Sequence, residues 1–344
     1  MYIIKIIQFF GTIGVDIFFV LSGYLIGTIL IKHIEEKRTK PKHILYFWVR
    51  RWFRTLPNYF LILFINIGLF FVLNGTFSER SWSYFLFLQN FNQIQPDFFT
   101  ESWSLSIEEF AYIIGPMLLL FIGYILKSIN KYTFLAITLI VILLGVINRY
   151  NFHDSIINSI VEDNSWSKSL RKVVVYRIDS IYYGFIGAYF AYYFAKHWNR
   201  LKNMFSVLGV LMFFSIHTFI LIQKIEPSVD SFFFNNIYLP LLALSILLFF
   251  PLFSTWKNGN IFKSIITKIS IWSYSIYLIN YSIVLLTLNH FIDVGKLNII
   301  LKVIVLIAFW TITFVASYLL YSKFEKPMMN FRDSKLITNR FNKK

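Results

Sequence analysis

The chain has 344 residues, of which 57% are hydrophobic and 20% aromatic. A mean hydropathy of +0.62 excludes an ordinary soluble domain. It has no cysteine, which excludes disulfides and thiolate metal sites, and its net charge of +16 in so apolar a chain orients loops rather than marking nucleic-acid binding.

Nine apolar stretches of about the length of a bilayer core predict one all-α, polytopic transmembrane bundle. They cover roughly residues 13–31, 56–73, 105–126, 132–148, 178–195, 204–222, 235–253, 269–288 and 299–321. Residues 1–10 carry one lysine, lack a small-residue cleavage site and are too short to span. The first stretch holds Asp16, followed by fifteen residues, Ile17 to Ile31, with no other charge. A carboxylate at that depth costs at least ~2.5 kcal/mol and is a functional candidate by default.

Between the first two stretches lies a basic segment ending in Arg50-Arg51-Trp52-Phe53-Arg54, where a loop is expected to become a helix with Pro57 just inside its start. Arg51 and Arg54, three apart, share a helical face, and guanidinium forks suit phosphate oxygens. A positive anchor with a headgroup-level Trp is the bland alternative. Residues 82–91 are apolar but short, which suggests an interfacial or re-entrant piece.

The third stretch opens with Trp103-Ser104-Leu105-Ser106-Ile107-Glu108-Glu109-Phe110-Ala111-Tyr112. Ser104, Glu108 and Tyr112 recur every four residues and share one face. Two adjacent carboxylates there must face a polar interior or serve the helix dipole; Glu109 fits the second role, and Glu108 fits either. Arg177 and Asp179, two apart, cannot face each other on a helix, so each should reach another helix, with Asp16 or Glu108 as partners, or snorkel to the interface. Of six histidines only His217 is clearly mid-span, and no metal spacing, nucleotide loop or hydrolase elbow is present.

The loops alternate in charge. With residues 32–54 on one side, that side holds 23 of the 33 Lys and Arg, whereas Glu79, Asp97, Glu101, Asp154, Glu162, Asp163, Glu226, Asp230 and Asp293 all fall opposite. The positive-inside rule then makes the basic side and the C-terminus cytoplasmic, and an odd span count puts the N-terminus outside.

Four blocks, residues 14–26, 50–59, 103–116 and 177–184, closely resemble the acyltransferase-3 family of bacterial membrane proteins. Residues 273–279 and 324–327 add weaker support. The resemblance implies transfer of an acyl group, typically acetyl from acetyl-CoA, to a hydroxyl of a surface polysaccharide or its lipid-linked precursor. Acyl-CoA is then a donor substrate and no cofactor is held permanently. Arg50, Arg51 and Arg54 match the family's arginine motif for the donor phosphates. Glu108 and Asp16 match its two acids and stand as catalytic candidates, with Trp103, Ser104, Tyr112, Arg177 and Asp179 lining a supporting cavity. The expected partners are the bilayer, acyl-CoA and a glycan or glycolipid, and the expected location is a bacterial inner membrane. The domain is expected over residues 1–325, with a basic cytoplasmic tail at 326–344.

Three departures accompany the match. The family's additional first span, with an arginine and a histidine thought to be the general base, has no counterpart, so ten spans become nine, Glu108 is the best surviving candidate for acid/base or orienting work, and inactivity of the chain as it stands is expected to come from a misassigned start or a truncated gene. Phe110-Ala111 replaces a polar-aromatic pair, and Asn280 stands where histidine is common. A non-catalytic role in polysaccharide translocation or assembly remains the alternative.

Overall fold

A computed structural model describes residues 2–73, 79–157, 166–227, 231–256 and 262–342, without side chains at 2–10, 73, 79, 157 and 342. Glu162, Asp163, Asp230, Lys257, Lys343 and Lys344, counted among the loop charges above, lie outside the described residues. In chain order the α-helices are α1 (Tyr2–Glu35), α2 (Pro41–Leu73), α3 (Trp103–Leu126), α4 (Lys131–Ile157), α5 (Val174–Arg177), α6 (Asp179–Tyr193), α7 (Ala195–Arg200), α8 (Lys202–Gln223), α9 (Leu239–Leu247), α10 (Phe250–Thr255), α11 (Lys263–Ile279), α12 (Leu286–Phe291), α13 (Ile299–Leu320), α14 (Lys326–Arg332) and α15 (Lys335–Asn342). Wide π-type turns at Phe233–Tyr238, Asn280–Leu285 and Tyr321–Glu325 interrupt three of the long helical runs.

The protein is an all-α, polytopic membrane helical bundle. Among the described residues eight helical runs are long and apolar enough to cross a bilayer. The stretch that would make a ninth, residues 178–195, holds the 15-residue α6, bounded by breaks at Ile178 and Phe194. The arginine segment does not begin a helix. α2 starts at Pro41, so Arg50, Arg51 and Arg54 lie within it and Pro57 is interior, where it denies the Phe53 carbonyl its usual N–H partner.

Contacts divide the chain into two compact units. Unit 1 comprises residues 1–41, 90–95 and 103–257, and its centre is the crossing of α1 with α6. Glycines set that approach. A methyl on Gly23 would sit 1.8 Å from the Ile181 carbonyl oxygen, and one on Gly184 would sit 2.1 Å from that of Val20. Small residues allow such backbone contact where lipid offers no hydrophobic drive for helices to pair. Around this crossing Tyr183, Trp198, Phe234, Tyr238, Leu242 and Phe250 form an aromatic-rich core.

Unit 2 comprises residues 42–89, 96–102 and 258–344. Its residues 79–89 and 96–102 pack against α2. The Tyr59 hydroxyl donates to the Tyr84 carbonyl at 2.8 Å, and the Tyr59 ring stacks on Phe87 and Phe99. Tyr59 lies fourteen residues before the end of α2, about 21 Å along its axis. At the opposite end of α2 the C-terminal helices pack on the basic segment, with Phe331 against Phe53 and Phe341 stacked on Tyr46.

Candidate active site

Glu108, Tyr112 and Ser22 form a buried hydroxyl–carboxylate cluster in unit 1. The Ser22 hydroxyl donates to Glu108 Oε1 at 2.5 Å. Tyr112 OH donates to the same oxygen and lies in hydrogen-bond contact with Ser22. The cause is local. Glu108 and Tyr112 are one helical turn apart on α3, so their side chains converge, and Ser22 reaches them from α1. Ser104 is buried on the same face of α3, and Glu109 is buried beside it.

Two ion pairs stand nearby on the chain. Arg177 reaches Asp16, and both are buried. Arg149 grips Asp179 with two parallel 2.8 Å bonds and also donates to the Tyr176 carbonyl. Gly145 permits this fork, since a methyl there would lie 2.8 Å from Asp179 Cβ. A buried charge is tolerable in lipid-level surroundings only when so paired and bonded. Asp16 and Ser22 are six residues apart on α1, about 9 Å in rise and roughly a third of a turn out of face. The Asp16–Arg177 pair and the Ser22–Glu108 cluster are therefore distinct nodes on one helix.

Trp103 is held from three directions. The Arg171 guanidinium lies 5.0 Å over its ring, Phe19 meets it edge-on at 5.9 Å, and Asn90 Nδ2 donates to its carbonyl at 3.0 Å. Arg171 also donates to the Thr12 carbonyl, and Arg177 lies over Phe19. Stacked guanidinium and aromatic faces thus brace the start of α3 against α1.

The arginine segment belongs to unit 2. Arg50 and Arg54 are exposed and Arg51 is half-buried. Arg50 lies over the Tyr46 ring, and its carbonyl accepts from Arg332 at 3.3 Å. Three guanidiniums within two turns can take a phosphate in forked bonds. Among the described residues no group of three His, Asp or Glu could hold a metal ion.

Several residues escape the sequence pattern. Ser22 is polar but small, and its only signal is a hydroxyl in an otherwise lipid-like run. Arg149 lies at the end of an apolar stretch and reads as an interface anchor until Asp179 is seen beside it. His153 is buried, with Nδ1 3.0 Å from the Asn235 amide. His217 Nδ1 donates to the Phe213 carbonyl at 2.7 Å within its own helix, and its ring meets Tyr238 edge-on. Glu101, counted with the loop acids, is buried inside unit 2.

Comparison with known proteins shows the family. The acyltransferase-3 model, described as an acyltransferase domain, matches residues 1–322. YrhL of Bacillus subtilis is 38% identical over 138 residues, 34% of this chain and 21% of that protein. The peptidoglycan O-acetyltransferase OatA of Listeria monocytogenes is 34% identical over 130 residues, 32% of this chain and 20% of its own length. The O-acetyltransferase OatA of Staphylococcus aureus is 30% identical over 140 residues, 35% of this chain and 22% of its own. The chain thus spans about a fifth of the length of the curated relatives it matches. No solved structure matches.

Proposed function

The chain belongs to the acyltransferase-3 family, and on that premise we propose that it transfers an acyl group, acetyl first among candidates, from acyl-CoA to a hydroxyl of a cell-envelope glycan. The observation that carries this reading is the Glu108 carboxylate with two hydroxyls on one oxygen, buried among helices. A carboxylate that holds a hydroxyl proton this closely is placed to act as a general base. The acceptor hydroxyl takes the place of Ser22 or Tyr112 at Glu108 and gives up its proton as its oxygen bonds the thioester carbonyl carbon. The C–S bond then breaks, and the CoA sulfur leaves with the proton that Glu108 took from the acceptor. When the acceptor displaces Tyr112 from Glu108, the freed Tyr112 O–H donates to the oxygen that gains charge.

In this reading Arg50, Arg51 and Arg54 take the CoA phosphates, and the basic side of the membrane is the cytoplasm. Arg177 and Asp179, each tied to a charge on another helix, act as positioning residues. Asp16 has the same standing, because its charge is committed to Arg177. The peptidoglycan acetylation named for the Listeria relative makes glycan strands the first acceptor to try.

The test uses membranes containing the full chain, labelled acetyl-CoA and unmodified peptidoglycan. Glu108→Gln should lower turnover by about 100-fold or more with KM for acetyl-CoA little changed, whereas Arg51→Ala should raise that KM. Label transfer that is absent with the unaltered chain, or untouched by Glu108→Gln, overturns the reading and favours the translocation or assembly role.

A further inference from the structure

The C-terminal helices of unit 2 touch the arginine segment in two ways. One contact is aromatic. Phe341 of α15 stacks on Tyr46 of α2, with ring centroids 4.8 Å apart and planes at 30°. The Arg50 guanidinium lies over the same Tyr46 ring at 5.8 Å, and both rings are partly exposed. The other contact is ionic. Arg332 donates to both Asp333 oxygens, at 2.9 and 2.7 Å, and to the Arg50 carbonyl at 3.3 Å. The Asp333 carboxylate is exposed and lies within electrostatic range of Arg50. In the sequence it is the single acid among six cations in residues 326–344.

Together these contacts set a flat ring beside an anion on one stretch of α2. Tyr46 and Arg50 are one turn apart, about 6 Å in rise, a span that a ribose bridges between its base and its phosphate. A ring stacked on an aromatic face and an anion at a guanidinium are also the two interactions that hold a nucleotide. Neither contact belongs to a packed core. Helix α15 has eight residues, too few to persist without packing, and its Lys335, Leu336, Asn339 and Arg340 are exposed. A segment seated so lightly opens at small cost.

We propose that Tyr46 is the shelf on which the adenine of acyl-CoA stacks, and that Phe341 and Asp333 hold the places of base and phosphate until the donor displaces them. The assignment rests on the acyl-transfer reading, in which Arg50, Arg51 and Arg54 take the donor phosphates. A phosphate arriving at Arg50 repels the Asp333 carboxylate. An adenine on Tyr46 covers the ring face that Phe341 holds, so base and tail exclude each other. The tail then sets donor affinity, because a shelf that is open only part of the time binds more weakly by that fraction.

The test uses the full chain in detergent and two fragments of the donor, with binding read by calorimetry. Adenosine 3′,5′-bisphosphate carries the base and phosphates; pantetheine 4′-phosphate carries a phosphate and no base. Tyr46→Leu should raise Kd for the bisphosphate about 10-fold, and Tyr46→Phe, which keeps the ring, should return it to within about twofold. Phe341→Ala should lower that Kd about 5-fold, with pantetheine phosphate binding steady to about twofold in all three variants. Asp333→Asn should tighten both fragments about 3-fold. Bisphosphate affinity that ignores Tyr46→Leu, weakens with Phe341→Ala or ignores Asp333→Asn overturns the proposal. So does a Phe341→Ala shift shared equally by both fragments. Saturating bisphosphate should also speed trypsin cleavage at Lys335 and Arg340 of the unaltered chain about 5-fold, and equal or slower cleavage overturns displacement of the tail. If the fragments bind by these rules but no label passes from acetyl-CoA to peptidoglycan, the base shelf stands and the acyl-transfer reading fails.

Discussion

Unit 1 and unit 2 neutralise buried acids in opposite ways. In unit 1 Asp16 and Asp179 each meet an arginine, across helices that glycines allow to touch. In unit 2 Glu101 and Glu325 meet serines and an asparagine. An arginine–carboxylate fork fixes both charge and geometry, because neither partner can lose its charge without stranding the other. A carboxylate bonded to hydroxyls is held in place yet keeps the freedom to be protonated. Glu108 follows the second pattern inside the first unit, with Ser22 and Tyr112 as its partners. Those hydroxyl partners are what supports the proposal that Glu108 is the reacting group.

The contrast can be broken most forcefully at the ion pairs. Asp179→Asn leaves Arg149 buried without its counter-charge and should cost about 3–5 kcal/mol, read from denaturant unfolding in detergent. Pairing it with Arg149→Met should recover most of that loss; a double variant as unstable as the single one would mean the fork contributes more than mutual neutralisation. Gly184→Ala comes next. Its methyl has no room against the Val20 carbonyl, so about 2–3 kcal/mol should be lost by the same measurement.

Smaller effects sharpen the other half of the comparison. Phe341→Ala should loosen α15 from α2 and cost about 1 kcal/mol, visible as faster proteolysis of the C-terminal helix. Glu325→Gln should cost least, under about 1 kcal/mol, since a glutamine oxygen can still accept from Asn58 and Ser275. A loss as large as that of Asp179→Asn would show that the two units treat their acids alike.

Periodicity and composition make much of this legible in advance. The four-residue spacing of Glu108 and Tyr112 puts them on one face wherever the helix goes, and the structure joins them on one proton network. The two-residue spacing of Arg177 and Asp179 forces them toward different partners, and they take Asp16 and Arg149. What a residue meets across the bundle is another matter. Ser22 carries no mark in the sequence of the carboxylate it bonds, eighty-six positions away. Glu101 sits beside polar loop residues in the chain and is nonetheless drawn onto Ser282. The interior placement of Pro57 also escapes local signals, because α2 begins earlier than the apolar run does.

By itself the sequence determined a membrane-spanning, all-helical chain, because about twenty apolar residues in succession can satisfy their backbone in lipid only as helices. It also singled out Asp16, Glu108, Arg177 and Asp179 as charges costly in such surroundings, but not Arg149 or Glu101. Only the tertiary structure decided their partners. A hydrogen bond or ion pair reaches about 3 Å, and which side chains come that close depends on where two glycines let α1 and α6 meet, where α13 returns along α11, and how residues 79–89 and 96–102 pack on α2.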